Sequence, residues 1–420
     1  MFSTIYKKIK KVVGPGIITG VADDDPSGIA TYAQTGIFFG FQQLWLTLYT
    51  LPFMIAVQEM CARVGMVTGK GLAGVIKSHY SKTVLFFAVT LLGIANIVNI
   101  GADLGAMGQS ISMISPISSG VALIAITVFT VVTATLIPYP LYARILKYLA
   151  LTVFSYVVAA FFVTHDWKHI FISLVVPHIE WTPGFLLNIT AFLGTTISPY
   201  LFFWQADEEV EEEIEKKKIL SFGKGRPMVS KKDIEQMRSD TIVGMTLSNL
   251  VAFFIIITAS ATKTPGSNII SAVELAEALR PLAGDFAVYL FAFGILGTGL
   301  LAVPVLAGSF AYAVGEAFNL KIGLGKTFME ATGFYAVISI STLTGVLLNF
   351  VSVEPVTMLY YAAAANGILA APLLAIIIVI ANNKRALGEK TNSPLSNTLT
   401  IITACIMALV SIFTIESFFK

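Results

Sequence analysis

A chain of 420 residues that is 56% hydrophobic and only 12% charged is excluded from the ordinary soluble class, where about a quarter of residues carry charge. Two cysteines, Cys61 and Cys405, in apolar surroundings exclude a disulfide framework or a thiolate metal site. The net charge of +2 gives no reason to expect a nucleic-acid partner; its meaning lies in where the charges fall.

Met1 to Val21 begins with a basic run and continues into an apolar stretch, the outline of a signal peptide. No small-residue cleavage site follows; Asp23, Asp24 and Asp25 do. The segment is therefore expected to stay in the mature protein. Segments long and apolar enough to cross a bilayer, about 20 residues each, follow at 14–40, 43–66, 84–112, 119–138, 145–164 and 184–206. A second set lies at 240–262, 284–316, 330–350, 356–381 and 397–418. The expectation is an all-α integral membrane protein of eleven spans, embedded in a lipid bilayer.

With a cytoplasmic N-terminus, 23 of the 27 basic residues fall on the cytoplasmic side, and only Lys168, Lys263, Arg280 and Lys420 fall outside. That bias follows the positive-inside rule and sets the C-terminus outside a cell (plasma) membrane. Residues 207–239 form the largest cytoplasmic piece. Its Glu212/Lys216 and Glu213/Lys217 spacings read as a solvated helical extension, with a cation sensor as the sharper alternative. Asn188-Ile189-Thr190 matches a glycosylation sequon but opens a span, so it reads as chance.

The first span carries Gly14-Pro15-Gly16 and then Asp23-Asp24-Asp25-Pro26-Ser27-Gly28. Proline removes a backbone donor and glycine weakens the helix, and unwound chain at membrane depth is tolerated only where it lines a cavity or binds a ligand. Three acids there need neutralising, and no Lys, Arg or His is placed deep in any span. A cation from outside is the expected partner. Gly194-Thr195-Thr196-Ile197-Ser198-Pro199-Tyr200 interrupts the sixth span in the same way. If ten leading spans form two repeats of five, Pro26 and Pro199 occupy corresponding positions, and an odd number per repeat makes the repeats inverted. Paired interruptions of this kind mark a transport site near the midplane, and freed carbonyls with a carboxylate suit a hard cation.

These residues resemble the Nramp family of divalent-metal transporters. Asp25-Pro26-Ser27-Gly28 stands where that family has Asp-Pro-Gly-Asn. Thr195 to Pro199 resembles its sixth-helix stretch, with Ser198 for Met and Tyr200 for His, and Ala102-Asp103-Leu104-Gly105-Ala106 has Ala106 for a Glu. The resemblance implies a leucine-transporter-type fold of two inverted repeats, about 13–164 and 184–381, with an eleventh helix at 397–418. It implies alternating access, no cofactor and no enzyme activity, and a chain acting as a monomer. Asp25, Gly28, Thr195 and Ser198 are then the expected metal-site positions. Asp23, Asp24, Ser27, Tyr200, Asn366 and Asp103 are expected around it or in its vestibule.

The departures shift the expected cargo. A thioether suits softer ions such as Mn²⁺, Fe²⁺ or Cd²⁺; Ser198 offers a hydroxyl, and Gly28 is expected to widen the cavity. Mg²⁺ keeps several waters and accepts an oxygen-only site, and the pattern resembles the Nramp-related magnesium transporters, expected to carry Mg²⁺ and Mn²⁺. The four histidines, His79, His165, His169 and His178, all fall in loops, and Tyr200 and Ala106 replace the family's His and Glu. The expectation is uptake without proton coupling. Two charges across 100 mV carry roughly 4.6 kcal/mol, enough for about a thousandfold accumulation.

The competing readings are proton-coupled Mn²⁺/Fe²⁺ import and an amino-acid carrier of the same fold, whose bare helix N-termini Asp25 would spoil. No nucleophile–base or His-Glu-x-x-His pattern supports an intramembrane enzyme. Asn96, Asn99 and Asp103 form a polar stripe at helical spacing whose simplest reading is interhelix hydrogen bonding. Gln58 and Glu59 read as gate or packing contacts rather than ligands.

Overall fold

The structure, a computed structural model, describes residues 14–137, 155–162, 166–261, 272–277, 279–280, 284–350 and 353–418. The expected span at 145–164 lies mostly outside these residues, as do the N-terminal lysines, Arg144, Lys147, His165, Lys263 and Lys420.

The α-helices in chain order are α1 (Pro15–Asp23), α2 (Pro26–Phe39), α3 (Trp45–Thr68), α4 (Leu72–His79), α5 (Lys82–Ile114) and α6 (Ser119–Leu136). Next come α7 (Ser155–Ala160), α8 (Trp167–Val175), α9 (Pro183–Thr196), α10 (Pro199–Glu215), α11 (Lys231–Ser260) and α12 (Ala272–Glu277). The last are α13 (Ala287–Phe318), α14 (Thr332–Leu347), α15 (Pro355–Ala381), α16 (Lys384–Leu387) and α17 (Pro394–Phe418). Among the described residues, eight stretches are long and apolar enough to cross a membrane. Observed bounds follow the expected ones within a few residues, except that α10 runs on to Glu215 and α11 begins at Lys231, where spans were expected to stop at 206 and start at 240. The short helices α4, α8, α12 and α16 were not anticipated.

The molecule is all-helical and wears its grease outside. On α6, Val121, Ile124, Val128, Phe129 and Leu136 are exposed, as are Ile401, Leu409, Ile412 and Phe413 on α17. Soluble monomers rarely expose apolar surface on this scale; a bilayer covers it. The interior instead holds Asp23, Asp25, Asn99, Asp103, Thr195 and Ser198, each at most 2% exposed.

Local chemistry explains where helices stop. Pro15, Pro26, Pro183, Pro199 and Pro355 all sit in the first turn of a helix, where the missing N–H has no intrahelical partner to lose. Pro26 and Pro199 therefore begin new half-helices instead of kinking continuous ones. Ser230 and Asp233 form a reciprocal capping box on α11, and Asn319 closes α13 in the left-handed conformation at φ 55°.

Close backbone approach fixes how the half-helices lie. A Cβ added to Gly20 of α1 would fall 2.3 Å from the Gly244 carbonyl oxygen of α11, and one on Gly194 of α9 only 2.0 Å from the Ala363 carbonyl oxygen of α15. Only glycine allows such contacts, and small residues at helix crossings are the usual device for packing inside a membrane. Asp240 of α11 completes the start of α1 by accepting from Gly14 N (3.0 Å) and Gly16 N (2.6 Å). Asn188 of the sequon is buried, donating to Thr35 Oγ1 (2.9 Å) and Gln43 Oε1 (2.6 Å).

Two sequence expectations are corrected here. The start of the stretch after 206 is not solvated, since Asp207, Glu209 and Glu213 are each at most 1% exposed, whereas Glu215, Lys216 and Lys217 are exposed. The Glu212–Lys216 ion pair forms at 2.7 Å, but Glu213 pairs with Lys218 at 3.1 Å rather than with Lys217. Arg63 is buried in the last turns of α3, towards the end of the expected span 43–66. Glu59 Oε1 takes its charge at 2.6 Å together with that of Arg238 at 2.7 Å, so Glu59 ties α3 to α11 as a packing contact.

Candidate metal site at two facing helix breaks

The first break is three residues of conflict resolved. α1 ends at Asp23; Asp24 leaves the helix (φ −83°, ψ 52°), and Asp25 turns extended (φ −71°, ψ 171°) before Pro26 starts α2. Asp25 is the N-cap of α2. Its Oδ1 accepts from Gly28 N at 2.7 Å and Ser27 Oγ at 2.6 Å, and its Oδ2 accepts from Asn99 Nδ2 at 2.9 Å. These three donors, one of them a helix-end amide, hold the carboxyl group in a fixed pose.

The second break faces it. Ile197 and Ser198 (ψ 61° and 138°) separate α9 from α10. Ser198 Oγ turns back to donate to the carbonyls of Gly194 and Thr195, both at 2.7 Å. Its lone pairs stay open to a cation while its single proton is engaged. Tyr200 OH donates to the Ala22 carbonyl at 2.9 Å, stapling α10 to the last turn of α1 with a carbonyl that the break had freed. Thr195 Oγ1 lies beside the Tyr32 hydroxyl, and a Cβ on Gly28 would lie 3.1 Å from it. That last distance corrects one expectation: Thr195, Tyr32 and the Asp23 carbonyl close on Gly28, so its missing side chain admits tight packing here and does not open a wide cavity.

The remaining acids sort into two groups. Asp23 and Asp24 share Ser248 of α11, whose Oγ donates to Asp23 Oδ2 at 2.5 Å and approaches Asp24 Oδ1 at 3.3 Å; Asp23 Oδ1 has no partner. Asp103 of α5 is fully buried, close to Asp25 and to the backbone amide of Ser27. The polar stripe on α5 therefore divides. Asn96 does bind across helices, to the Leu306 carbonyl (2.7 Å) and Ser309 Oγ (2.8 Å). Asn99 belongs to the break, joining Asp25 to Asn366, whose Nδ2 donates to Asn99 Oδ1 at 3.3 Å. Asp103 adds a further buried carboxyl beside it.

Among the described residues no Lys, Arg or His forms an ion pair with Asp23, Asp24, Asp25 or Asp103. Nor do three His, Cys, Asp or Glu converge on one point. The cluster offers one well-aimed carboxylate with neutral oxygens, and further carboxylates around it. Two contributors were not anticipated. Ser248 had a signal, a Ser-Asn pair inside an apolar span. Met107, one turn beyond Asp103, packs its thioether against Gly299, beside the Pro26 ring.

Comparison with known proteins gives the same placement. A family model described as natural resistance-associated macrophage protein-like matches residues 16–417. Among curated relatives, the divalent metal cation transporter MntH of Bacillus subtilis is 22% identical over 428 residues, 99% of this chain and 94% of that protein. MntH of Verminephrobacter eiseniae is 23% identical over 338 residues, 77% of this chain and 73% of that protein. The crystal structure of the Eremococcus coleocola manganese transporter with an aromatic bis-isothiourea compound superposes with a TM-score of 0.75 at 15% identity, covering 98% of this chain and 87% of that one. A nucleobase-cation-symport-1 family transporter in a closed conformation reaches 0.56 at 13% identity, covering 96% and 92%. With a family model spanning nearly its whole length and the fold shared with a solved manganese transporter, this chain belongs to the Nramp family.

Proposed function

We propose that this protein carries divalent metal cations across a membrane by alternating access, with Mg²⁺ as the preferred cargo and Mn²⁺ as a second. One observation carries the reading: a buried, unwound chain segment presents Asp25 amid further acids that have no basic partner among the described residues. Charge at that depth is costly unless balanced, and a passing divalent ion balances it. The names of the curated relatives, divalent metal cation transporters, support the class.

The site as proposed uses Asp25, Gly28, Thr195 and Ser198, with the backbone oxygens that the two breaks release. Asp23, Asp24, Ser27, Tyr200, Asn366 and Asp103 surround it and shape the water shell. Such a set suits an ion that retains part of its hydration. An amino-acid cargo is disfavoured because Asp25 already caps the N-terminus of α2, one of the two half-helix starts at the breaks, and would repel a carboxylate there.

Proton coupling is not part of the proposal. Tyr200 spends its proton on the Ala22 carbonyl, Ala106 is buried and apolar, and the described histidines His79, His169 and His178 are exposed, away from the breaks. Membrane potential then drives uptake.

The architecture that goes with this function is the leucine-transporter type: eleven spans, of which α1 with α2 is the first and α9 with α10 the sixth, in two inverted repeats about 13–164 and 184–381. The N-terminus lies in the cytoplasm, the C-terminus outside the plasma membrane, and residues 207–239 lie at the cytoplasmic face of a chain that works as a monomer.

One observation favours a softer cargo. Met107 places a sulfur beside Pro26, and thioethers favour Mn²⁺ or Cd²⁺ over Mg²⁺. Flux into proteoliposomes with an internal metal dye, comparing Mg²⁺, Mn²⁺, Ca²⁺ and Cd²⁺ with and without a pH gradient, decides both points. Mg²⁺ entry that is indifferent to the pH gradient supports the proposal. Entry of Mn²⁺ and Cd²⁺ alone, with accompanying proton movement, supports the softer reading and overturns ours.

A further inference from the structure

A second pair of acids lies below the breaks, the buried Asp207 on the inner half of α10 and the half-buried Glu316 on α13. Asp207 is nine residues beyond Ser198, about 13 Å along the helix axis. It is 1% exposed, and neither of its carboxylate oxygens has a hydrogen-bond partner. Glu316, in the last turn of α13, faces it. A Cβ placed on Gly71 would lie 2.0 Å from Asp207 Oδ1 and 2.6 Å from Glu316 Oε2, so both carboxylates converge where α4 begins. Glu316 is held there by Gly71 N on Oε1 (2.8 Å) and Gly74 N on Oε2 (2.7 Å). Glu211, one turn further along α10, is oriented separately by Tyr312 OH (2.5 Å) and Leu324 N (3.0 Å).

The neighbouring cations are engaged elsewhere. Lys70 and Lys77 stand near enough to Glu316 to act on its charge. Yet Lys77 Nζ donates to the Glu316 backbone carbonyl (2.9 Å) and Asn319 Oδ1 (2.7 Å), and Lys70 Nζ to Ser78 Oγ (2.7 Å). Among the described residues, neither Asp207 nor Glu316 takes part in an ion pair.

We infer that Asp207 and Glu316 form an inner binding site for a hard divalent cation, a station separate from the breaks and built between α10, α13 and the start of α4. Two adjacent carboxylates, one buried and one half-buried, would carry two negative charges when ionised; one shared proton would balance one of them, and a divalent ion balances both. No third His, Cys, Asp or Glu joins them at one point among the described residues. The ion held there therefore keeps waters, as Mg²⁺ does on one or two carboxylates. The choice of ion rests on the proposed transport function; the pair's need for a counter-charge does not.

The test counts bound metal on the full-length chain in lipid nanodiscs, using Mn²⁺ as the probe, its free signal read by electron paramagnetic resonance, with Mg²⁺ as competitor. Asp25→Ala leaves the inner pair intact. It should retain one Mn²⁺ that Mg²⁺ displaces, and Asp25→Ala combined with Asp207→Asn should retain none. Glu316→Gln in the Asp25→Ala background should weaken the retained ion at least tenfold. If Asp25→Ala retains no metal, or if Asp207→Asn and Glu316→Gln bind as wild type does, the pair shares a proton and the inference is overturned. Retention of two ions by Asp25→Ala, with one lost in Asp207→Asn, would keep the inner station and remove the central assignment instead. Thermal melting accompanies each variant; should Asp207→Asn not fold, the count on Asp25→Ala together with Glu316→Gln decides.

Discussion

Asn99 Nδ2 donates to Asp25 Oδ2 at 2.9 Å, tying α5 to the unwound segment of the first span. Asn99 in turn accepts from Asn366 on α15, so three helices converge on one carboxylate through two amides. The chain Asn366–Asn99–Asp25 fixes which way the carboxylate points and leaves its other oxygen to the cap of α2.

Removing that amide should misplace the ligand without removing it. A hydrogen bond to a charged group contributes about 1.5–3 kcal/mol. Asn99→Ala should therefore raise the Mg²⁺ concentration for half-maximal flux by roughly tenfold to a hundredfold, by the conversion of about 1.4 kcal/mol per decade. The liposome dye assay measures it directly. Unchanged apparent affinity would mean that Asp25 is positioned by its cap alone.

Ser198 offers a hydroxyl where a methionine would offer a thioether. Ser198→Met should raise affinity for Mn²⁺ and Cd²⁺ and lower Mg²⁺ flux, because a thioether replaces a hard oxygen. Competition of Cd²⁺ against Mg²⁺ uptake checks this, and an unaltered order of preference would argue that donor softness at Ser198 plays no part in selection.

Tyr200 staples α10 to the end of α1 through the Ala22 carbonyl. Tyr200→Phe leaves the Ala22 carbonyl without its buried donor, at a cost of about 1–3 kcal/mol, so the melting temperature should fall. The ratio of flux at two external pH values should stay as in wild type. A changed pH dependence would assign Tyr200 a place in proton movement.

The crossing of α1 and α11 depends on a missing side chain. Gly20→Ala would set a methyl 2.3 Å from the Gly244 carbonyl oxygen, and backbone must shift to admit it. A loss of about 1–3 kcal/mol is expected from such overpacking, seen as a lower melting temperature in detergent. A wild-type melting curve would show that the two helices can part there freely.

The breaks were legible because their sequences contradict a helix in lipid. Asp23-Asp24-Asp25-Pro26 and Ser198-Pro199 cannot continue one, and both do end a helix. The spans were legible from length and hydropathy. What remained hidden depends on partners distant in the chain. Ser248 reaches Asp23 and Asp24 across more than two hundred residues, and nothing in its immediate sequence names that target. Asp207 and Glu213 were misread for a related reason. Glu/Lys spacing along one helix resembles a solvated face, yet α10 is covered by α3, α4 and α13, and burial there is decided by those neighbours and not by composition. Gly28 is the reverse case: absence of a side chain suggested space, and Thr195 with Tyr32 had filled it.

The most direct check is Mg²⁺ entry into proteoliposomes holding Asp25→Ala beside wild type, at matched protein content and with matched elution and melting behaviour. The account predicts voltage-driven entry for wild type and none above empty vesicles for the variant. Equal entry in the two would contradict it, since an ion that crosses without Asp25 is not held at the break between α1 and α2.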